Sequence, residues 1–79
     1  MAFVKNIERD HRDFKSLHPT QVSCKFLVAE HDGKKIIQLN TDGSENRDVP
    51  GKLSQTLQFD EAGARQLFEL IAVEFGFRT

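Results

Sequence analysis

The sequence predicts an α+β domain in which an antiparallel β-sheet of about four strands precedes one C-terminal amphipathic helix (ββββα). From residue 52 to residue 59 polar and apolar residues alternate, and one face carries Leu53, Leu57 and Phe59. Such alternation is typical of a strand with one buried face. Helical spacing follows Asp60, an expected N-cap, in the apolar series Ala64, Leu67, Phe68, Ile71 and Phe75. The helix is therefore expected to cover one sheet face and to leave the other polar and open.

The preceding strands are predicted from a hairpin signal. Alternation begins at Gln21 and ends at His31-Asp32-Gly33-Lys34, where Asp-Gly favours a two-residue hairpin turn. The second strand is expected over residues 35–41, with Gln38 and Asn40 on the open face. Cys24 is expected to lie buried on the core face of the first strand. Residues 42–51 are rich in turn formers, including Pro50-Gly51, and leave room for a short edge strand over residues 47–49.

The N-terminal residues 1–20 are separate from the domain expected over residues 21–79. Apolar residues occur there at roughly helical spacing among many charges, which fits either a short amphipathic helix or a flexible basic arm that carries Phe3 and Phe14. The two alternatives are equally favoured. Pro19 ends either one, since the residue before proline is disfavoured in the α region.

Length and composition indicate one small domain with a partner. A chain of 79 residues buries a small fraction of its surface, so a second subunit is expected. A second apolar patch on the helix, formed by Leu70, Val73 and Phe77, predicts the interface of a homodimer. One cysteine and the lack of a long apolar run predict an intracellular protein, cytoplasmic or nucleoid-associated, or in the host cell if viral, with no membrane segment.

Charge and motifs argue against several function classes. The net charge of −1 disfavours a general polyanion binder, although residues 1–35 carry seven basic and five acidic residues and the remainder four and seven. The histidines and Cys24 match no zinc spacing, and Asp10, His11 and Asp13 cluster outside the predicted sheet. We therefore expect no enzyme activity, no metal and no cofactor.

Residues 21–75 resemble the positive cofactor four (Sub-type) family of transcriptional coactivators. The resemblance rests on the hairpin with Gly33-Lys34, the following Ile-Ile-Gln-Leu, the turn Pro50-Gly51-Lys52, the alternating strand and the terminal helix. It implies a strongly curved sheet, dimerisation through the helices and binding of single-stranded DNA along the open face. His31 stands where that family has a stacking aromatic residue, and Asn40 stands where it has an arginine.

The predicted function is therefore single-stranded nucleic-acid binding in transcription, replication or recombination, with DNA favoured and RNA possible. The alternative is a small protein-interaction module that regulates a polymerase or host machinery. Basic side chains on an open sheet face contact phosphates, while hydroxyl and amide groups contact sugar and base edges. The candidate contact residues are Lys25, His31, Lys34, Lys35, Asn40, Arg47, Lys52, Ser54, Thr56 and Gln58.

Overall fold

The computed structural model describes residues 1–42 and 53–78, and within those ranges it describes all side chains except those of residues 42, 53 and 54. The element order is β1 (Ala2–Val4), β2 (Cys24–His31), β3 (Lys34–Asp42), β4 (Leu53–Phe59) and α1 (Glu61–Phe75). The predicted α+β fold, four strands followed by one C-terminal helix, is confirmed. The edge strand expected at residues 47–49 and the turn at Pro50-Gly51 lie outside the described residues.

The sheet has the strand order β1-β4-β3-β2. Strands β2, β3 and β4 pair antiparallel, as predicted, and the ladder between β3 and β4 is irregular at Thr41 and Asp42. Strand β1 instead pairs parallel with β4, with Phe3 opposite Gln58 and Val4 opposite Phe59. Neither of the two alternatives for residues 1–20 included this strand. The N-terminus therefore supplies one edge of the sheet.

The hairpin between β2 and β3 forms at the predicted turn. Asp32 and Gly33 have φ angles of 53° and 76°, which the Asp-Gly pair tolerates because glycine has no Cβ and aspartate is among the residues that enter the left-handed region. His31 then lies opposite Lys34, and this register places Ile37 opposite Val28 and Gln38 opposite Leu27. The two faces of the sheet follow from this register.

Helix α1 begins at the predicted cap. The Asp60 carboxylate accepts a hydrogen bond of 2.9 Å from the Gly63 backbone N–H, which satisfies one of the orphan donors of the first turn. The helix ends at Gly76, whose φ of 69° allows its N–H to bond to the Ala72 carbonyl. Both ends of the helix are therefore fixed by local sequence.

The buried centre of the domain is small. Phe59, at the end of β4, is 5% exposed. Among the residues whose burial is described, it is the one hydrophobic residue that is buried. Helix α1 packs over β3 and β4 above it. Close packing depends on Gly63, because a Cβ there would lie 3.0 Å from the Val4 carbonyl oxygen and 3.6 Å from the Phe59 ring. Phe59 thus joins β1, β4 and α1.

Strand β2 lies beyond the reach of the helix, and two expectations fail for that reason. Cys24 pairs with Thr41 and shares the face of Phe26 and Val28, as predicted, but it is exposed, so its predicted burial is wrong. The predicted apolar stripe of α1 is also incompletely covered, since Phe68 is about half exposed and Phe75 is mostly exposed. The helix covers the centre of the sheet and leaves the β2 side open.

Replacing Phe59 by alanine should unfold the domain or bring it close to unfolding. Truncation of a buried phenylalanine costs about 3–5 kcal/mol, and here it removes the residue shared by three elements. Urea denaturation followed by circular dichroism measures the loss. Phe14→Ala is the matched control, because Phe14 is 82% exposed and its truncation should change the free energy of unfolding by less than about 0.5 kcal/mol. Equal effects of the two substitutions would contradict the assignment of Phe59 as the core.

Candidate nucleic-acid interface

A ladder of polar side chains crosses the sheet face opposite the helix. Gln58 Nε2 donates to Gln38 Oε1 at 2.8 Å, and Gln38 Nε2 donates to Asn40 Oδ1 at 3.0 Å. The same Asn40 oxygen accepts from the Thr56 hydroxyl at 3.1 Å. These bonds join β3 to β4 through side chains as well as backbone. They also hold the amide groups in a defined orientation.

Two members of this ladder are less exposed than the sequence suggests. Asn40 is 9% exposed and Thr56 is 6% exposed, although an open strand face was expected to leave both in solvent. Their burial is tolerated because no buried side-chain nitrogen or oxygen among the described residues lacks a hydrogen-bond partner. Asn40 and Thr56 therefore form the buried part of the polar ladder, while Gln38 and Gln58 are half-buried and lie nearer the solvent.

An aromatic side chain lies on this face at the β1 edge. Phe3 is opposite Gln58 in the parallel ladder and is 43% exposed. Lys5 Nζ lies 5.4 Å from the centre of the Phe3 ring, within the range of a cation–π contact. Phe3 was expected in the N-terminal segment and is not among the predicted contact residues. Its position depends on the pairing of β1 with β4, for which a three-residue strand gives little local signal.

The opposite end of the face carries basic side chains of the hairpin. Lys25 lies opposite Asn40, and Lys34 lies opposite His31, so all four belong to the open face. His31 Nε2 is 3.4 Å from the Asp32 carboxylate, and both side chains are more than four-fifths exposed. Cationic groups therefore stand at both ends of the polar ladder, with Lys5 at the β1 end.

The remaining predicted contact residues are located differently. Lys35 lies on the helix side of the sheet, where it lines a groove with Ile37 and Phe59, so its predicted place on the open face is corrected. It follows Lys34 directly, and successive residues of a strand point to opposite faces. Ser54 is in β4, and Arg47 and Lys52 lie outside the described residues.

The helix side presents an apolar groove of about 390 Å³ between α1 and β3. Ile37, Ala64 and Phe68 line it, and Lys35 and Arg65 contribute to its walls. Further along α1 the predicted dimer residues Leu70, Val73 and Phe77 are all exposed. Leu70 and Val73 line a separate groove with the segment 7–10. The helix side therefore exposes apolar side chains in and beside two grooves.

The N-terminal segment is attached to the helix by polar contacts. The Ile7 N–H donates to Gln66 Oε1 at 3.0 Å, and Arg9 pairs with Glu74 at 3.0 Å. Arg12 lies 2.7 Å from the Asp10 carboxylate, and its hydrogen bonds lower the pKa of Asp10 from the ordinary value. Asp10 is thus engaged in a local ion pair. Within the described ranges no group of three or more histidine, cysteine or acidic side chains could hold a metal ion.

Comparison with known proteins adds no relative. No protein-family model matches the chain, and no curated protein or solved structure is significantly similar to it. Among the described residues, no helix has the length and apolar character needed to cross a membrane.

Thr56→Val should lower the free energy of unfolding by about 1 kcal/mol. The substitution keeps the shape of the side chain and removes the hydroxyl that donates to Asn40, and a typical intramolecular hydrogen bond contributes about that amount. Urea denaturation measures the change. Thr20→Val is the control, because Thr20 is exposed and lies outside the strands. If the valine variant were as stable as the parent, the ladder would not contribute to stability.

Proposed function

We propose that this protein binds single-stranded nucleic acid, with DNA favoured, along the open face of its sheet. The observation that carries the proposal is the position of Phe3, an exposed aromatic side chain beside a preformed polar ladder. The resemblance of residues 21–75 to the positive cofactor four coactivators supports the same function. Transcription, replication and recombination are the processes in which such binding is used.

Phe3 gives the face a means of contacting bases without reading their sequence. Unpaired bases stack on aromatic side chains, and every base offers a flat face for this contact. The ring lies next to Gln58, whose amide is held by Gln38. A base stacked on Phe3 would therefore lie beside groups able to bond to its edge. Lys5 Nζ lies near the same ring and 3.9 Å from the Asp60 carboxylate. Because its side chain is largely exposed, it can turn from that carboxylate to the adjacent phosphate.

The spacing of the cations fits a flexible strand. Lys5 lies at the β1 edge of the face, Lys25 lies on β2 opposite Asn40, and Lys34 begins β3 beside the hairpin turn. Sheet neighbours are about 4.8 Å apart, so a bound strand would cross the sheet from one edge to the other. A duplex is read in its major groove by a protruding helix or ribbon. The helix here carries Glu61, Glu69 and Glu74, which repel phosphates.

A second candidate function is protein binding through the helix side. The apolar groove beside Phe68 and the exposed Phe75–Phe77 stack, whose ring centres are 5.6 Å apart, favour it. In that case the protein would act as a small regulator of a polymerase or of host machinery. Retention on single-stranded-DNA cellulose that is lost with salt distinguishes the two, because nucleic-acid binding requires both observations.

The proposal includes a homodimer. A domain of this size with one buried hydrophobic side chain among those described has little apolar burial to stabilise it alone. The helix surface of Leu70, Val73 and Phe77 is exposed and is one candidate for the contact between copies. Analytical ultracentrifugation at micromolar concentration tests the association. A clean species of 9.0 kDa would contradict it.

Phe3→Ala should weaken binding of a single-stranded oligonucleotide by about 1–3 kcal/mol, the usual contribution of one stacked base. Fluorescence anisotropy with a labelled oligonucleotide measures the affinity. Phe14→Ala is the matched control, because it removes the same side chain from a highly exposed site outside the sheet. Circular dichroism shows whether the variant stays folded. Unchanged affinity in a folded Phe3 variant would leave the proposal without its main support.

A salt series completes the test of the proposal. If Lys5, Lys25 and Lys34 each neutralise one phosphate, the slope of log affinity against log salt should be about −2, from roughly −0.7 per phosphate of a single strand. The Phe3 variant should keep this slope, since stacking releases no counterions. Tighter binding to duplex than to single strands would favour the protein-binding function instead.

A further inference from the structure

Strand β2 forms an unusual edge of the sheet. Among the strands of the described residues it lies last in the order, and every residue of it is exposed. Phe26 is 72% exposed on the helix side, and Leu27 is 45% exposed on the open side. Both faces of this strand therefore present large apolar side chains to solvent.

The middle of β2 lacks the features that keep edge strands from pairing. Natural sheets protect their edges with charged side chains, proline, bulges or very short strands. Residues 26–29 read Phe-Leu-Val-Ala without interruption, and the ladder with β3 is regular along all eight residues of β2. Charges flank this run at Lys25 and Glu30. The edge is thus open to an added strand.

The hairpin register shows which backbone groups face outward. In a two-residue hairpin the residues that flank the turn, His31 and Lys34, form a hydrogen-bonded pair, and such pairs alternate along an antiparallel ladder. The N–H and C=O groups of His31, Ala29, Leu27 and Lys25 therefore point toward β3. Those of Cys24, Phe26, Val28 and Glu30 point away from it, toward the outer edge.

We propose that a second copy of this chain pairs with this edge, β2 against β2, antiparallel about a two-fold axis at Leu27. When the two-fold axis is perpendicular to the sheet, the helix sides of both copies lie on the same side of the joined sheet. Two residues that pair across the interface must therefore point to the same face. Centring on Leu27 sets Phe26 opposite Val28 and Cys24 opposite Glu30, and all of these residues have outward backbone groups. About eight backbone hydrogen bonds form, two for each hydrogen-bonded pair.

The facing side chains are more complementary in this register than in the next one along the strand, which is centred on Val28. Centring on Leu27 packs Phe26 against the partner copy's valine on one face and the two leucines against each other on the opposite face. Lys25 then faces an alanine, and no like charges are directly opposed. Centring on Val28 would instead set Phe26 opposite Glu30 and Lys25 opposite His31. The strand is therefore complementary to itself about Leu27.

Pairing at β2 would cover apolar side chains that the chain otherwise exposes, namely Phe26, Leu27 and Val28. Pairing at β2 would give a continuous sheet with both helices on one side. This interface extends the proposed homodimer, but it does not depend on nucleic-acid binding.

Disulfide formation tests the register. In a Cys24→Ser background, Leu27→Cys should form a covalent dimer, because the Cα atoms of a non-hydrogen-bonded pair lie about 4.5 Å apart, within the range that a disulfide spans. Lys25→Cys in the same background is the control and should give no covalent dimer, since its partner position is Ala29. A non-reducing gel of protein at low micromolar concentration under mild oxidation reads the result. No covalent dimer from Leu27→Cys, or equal yields from both variants, would overturn the proposal.

Proline substitution tests the edge without a cross-link. The Val28 N–H points outward, so Val28→Pro removes a bond to the partner while it leaves the ladder with β3 intact. This variant should sediment as a 9.0 kDa monomer with the circular dichroism of the parent. Val28→Ala, which keeps the N–H, should remain a dimer. Val73→Asp, on the helix surface, should also remain a dimer. A dimeric proline variant, or a monomeric folded Val73→Asp variant, would overturn the proposal.

Discussion

The burial of Phe59 is the constraint on which the rest of the structure depends. Its side chain lies under Gly63, beside Val4 and Ile37 of the flanking strands, so one residue fixes the position of α1 relative to three strands. The helix can cover the sheet only around this point. Strand β2, two positions away from β4 in the sheet, receives no such cover and stays exposed on both faces. The open surfaces of the molecule follow from this small core.

The parts of the fold predicted from sequence are those encoded by adjacent residues. Asp32-Gly33 specifies the hairpin because its two left-handed φ angles are tolerated by few residue types. Asp60 specifies the start of α1 because its carboxylate reaches the N–H of Gly63, three residues on. The alternation in β4 places Leu57 and Gln58 on opposite faces of the sheet, and this placement does not depend on residues outside the strand. These signals act over a few residues and need no knowledge of tertiary packing.

The parts that sequence reasoning missed depend on distant residues. The pairing of β1 with β4 joins segments more than fifty positions apart, and a three-residue strand carries no usable periodicity. Phe3 was therefore missed as a site residue, although an aromatic residue near an amphipathic strand was the available signal. The face of Cys24 was predicted correctly, but its burial was not, since burial requires the helix to extend over β2. Lys35 was misplaced because a pair of adjacent lysines was treated as one surface.

Strand β2 contributes residues both to the open face and to the surface where the second copy is proposed to pair. Its odd-numbered residues, Lys25 among them, lie on the open face, while its even-numbered residues lie on the helix side and direct their backbone groups away from β3. If two copies join there, the polar ladders of both protomers lie on one continuous sheet, and a bound strand that leaves the first ladder meets the second at high effective concentration. Association and binding would then strengthen each other, because the ligand favours the state that offers both sites. An exposed apolar edge beside a polar face is therefore consistent with a protein that binds its ligand as an assembly.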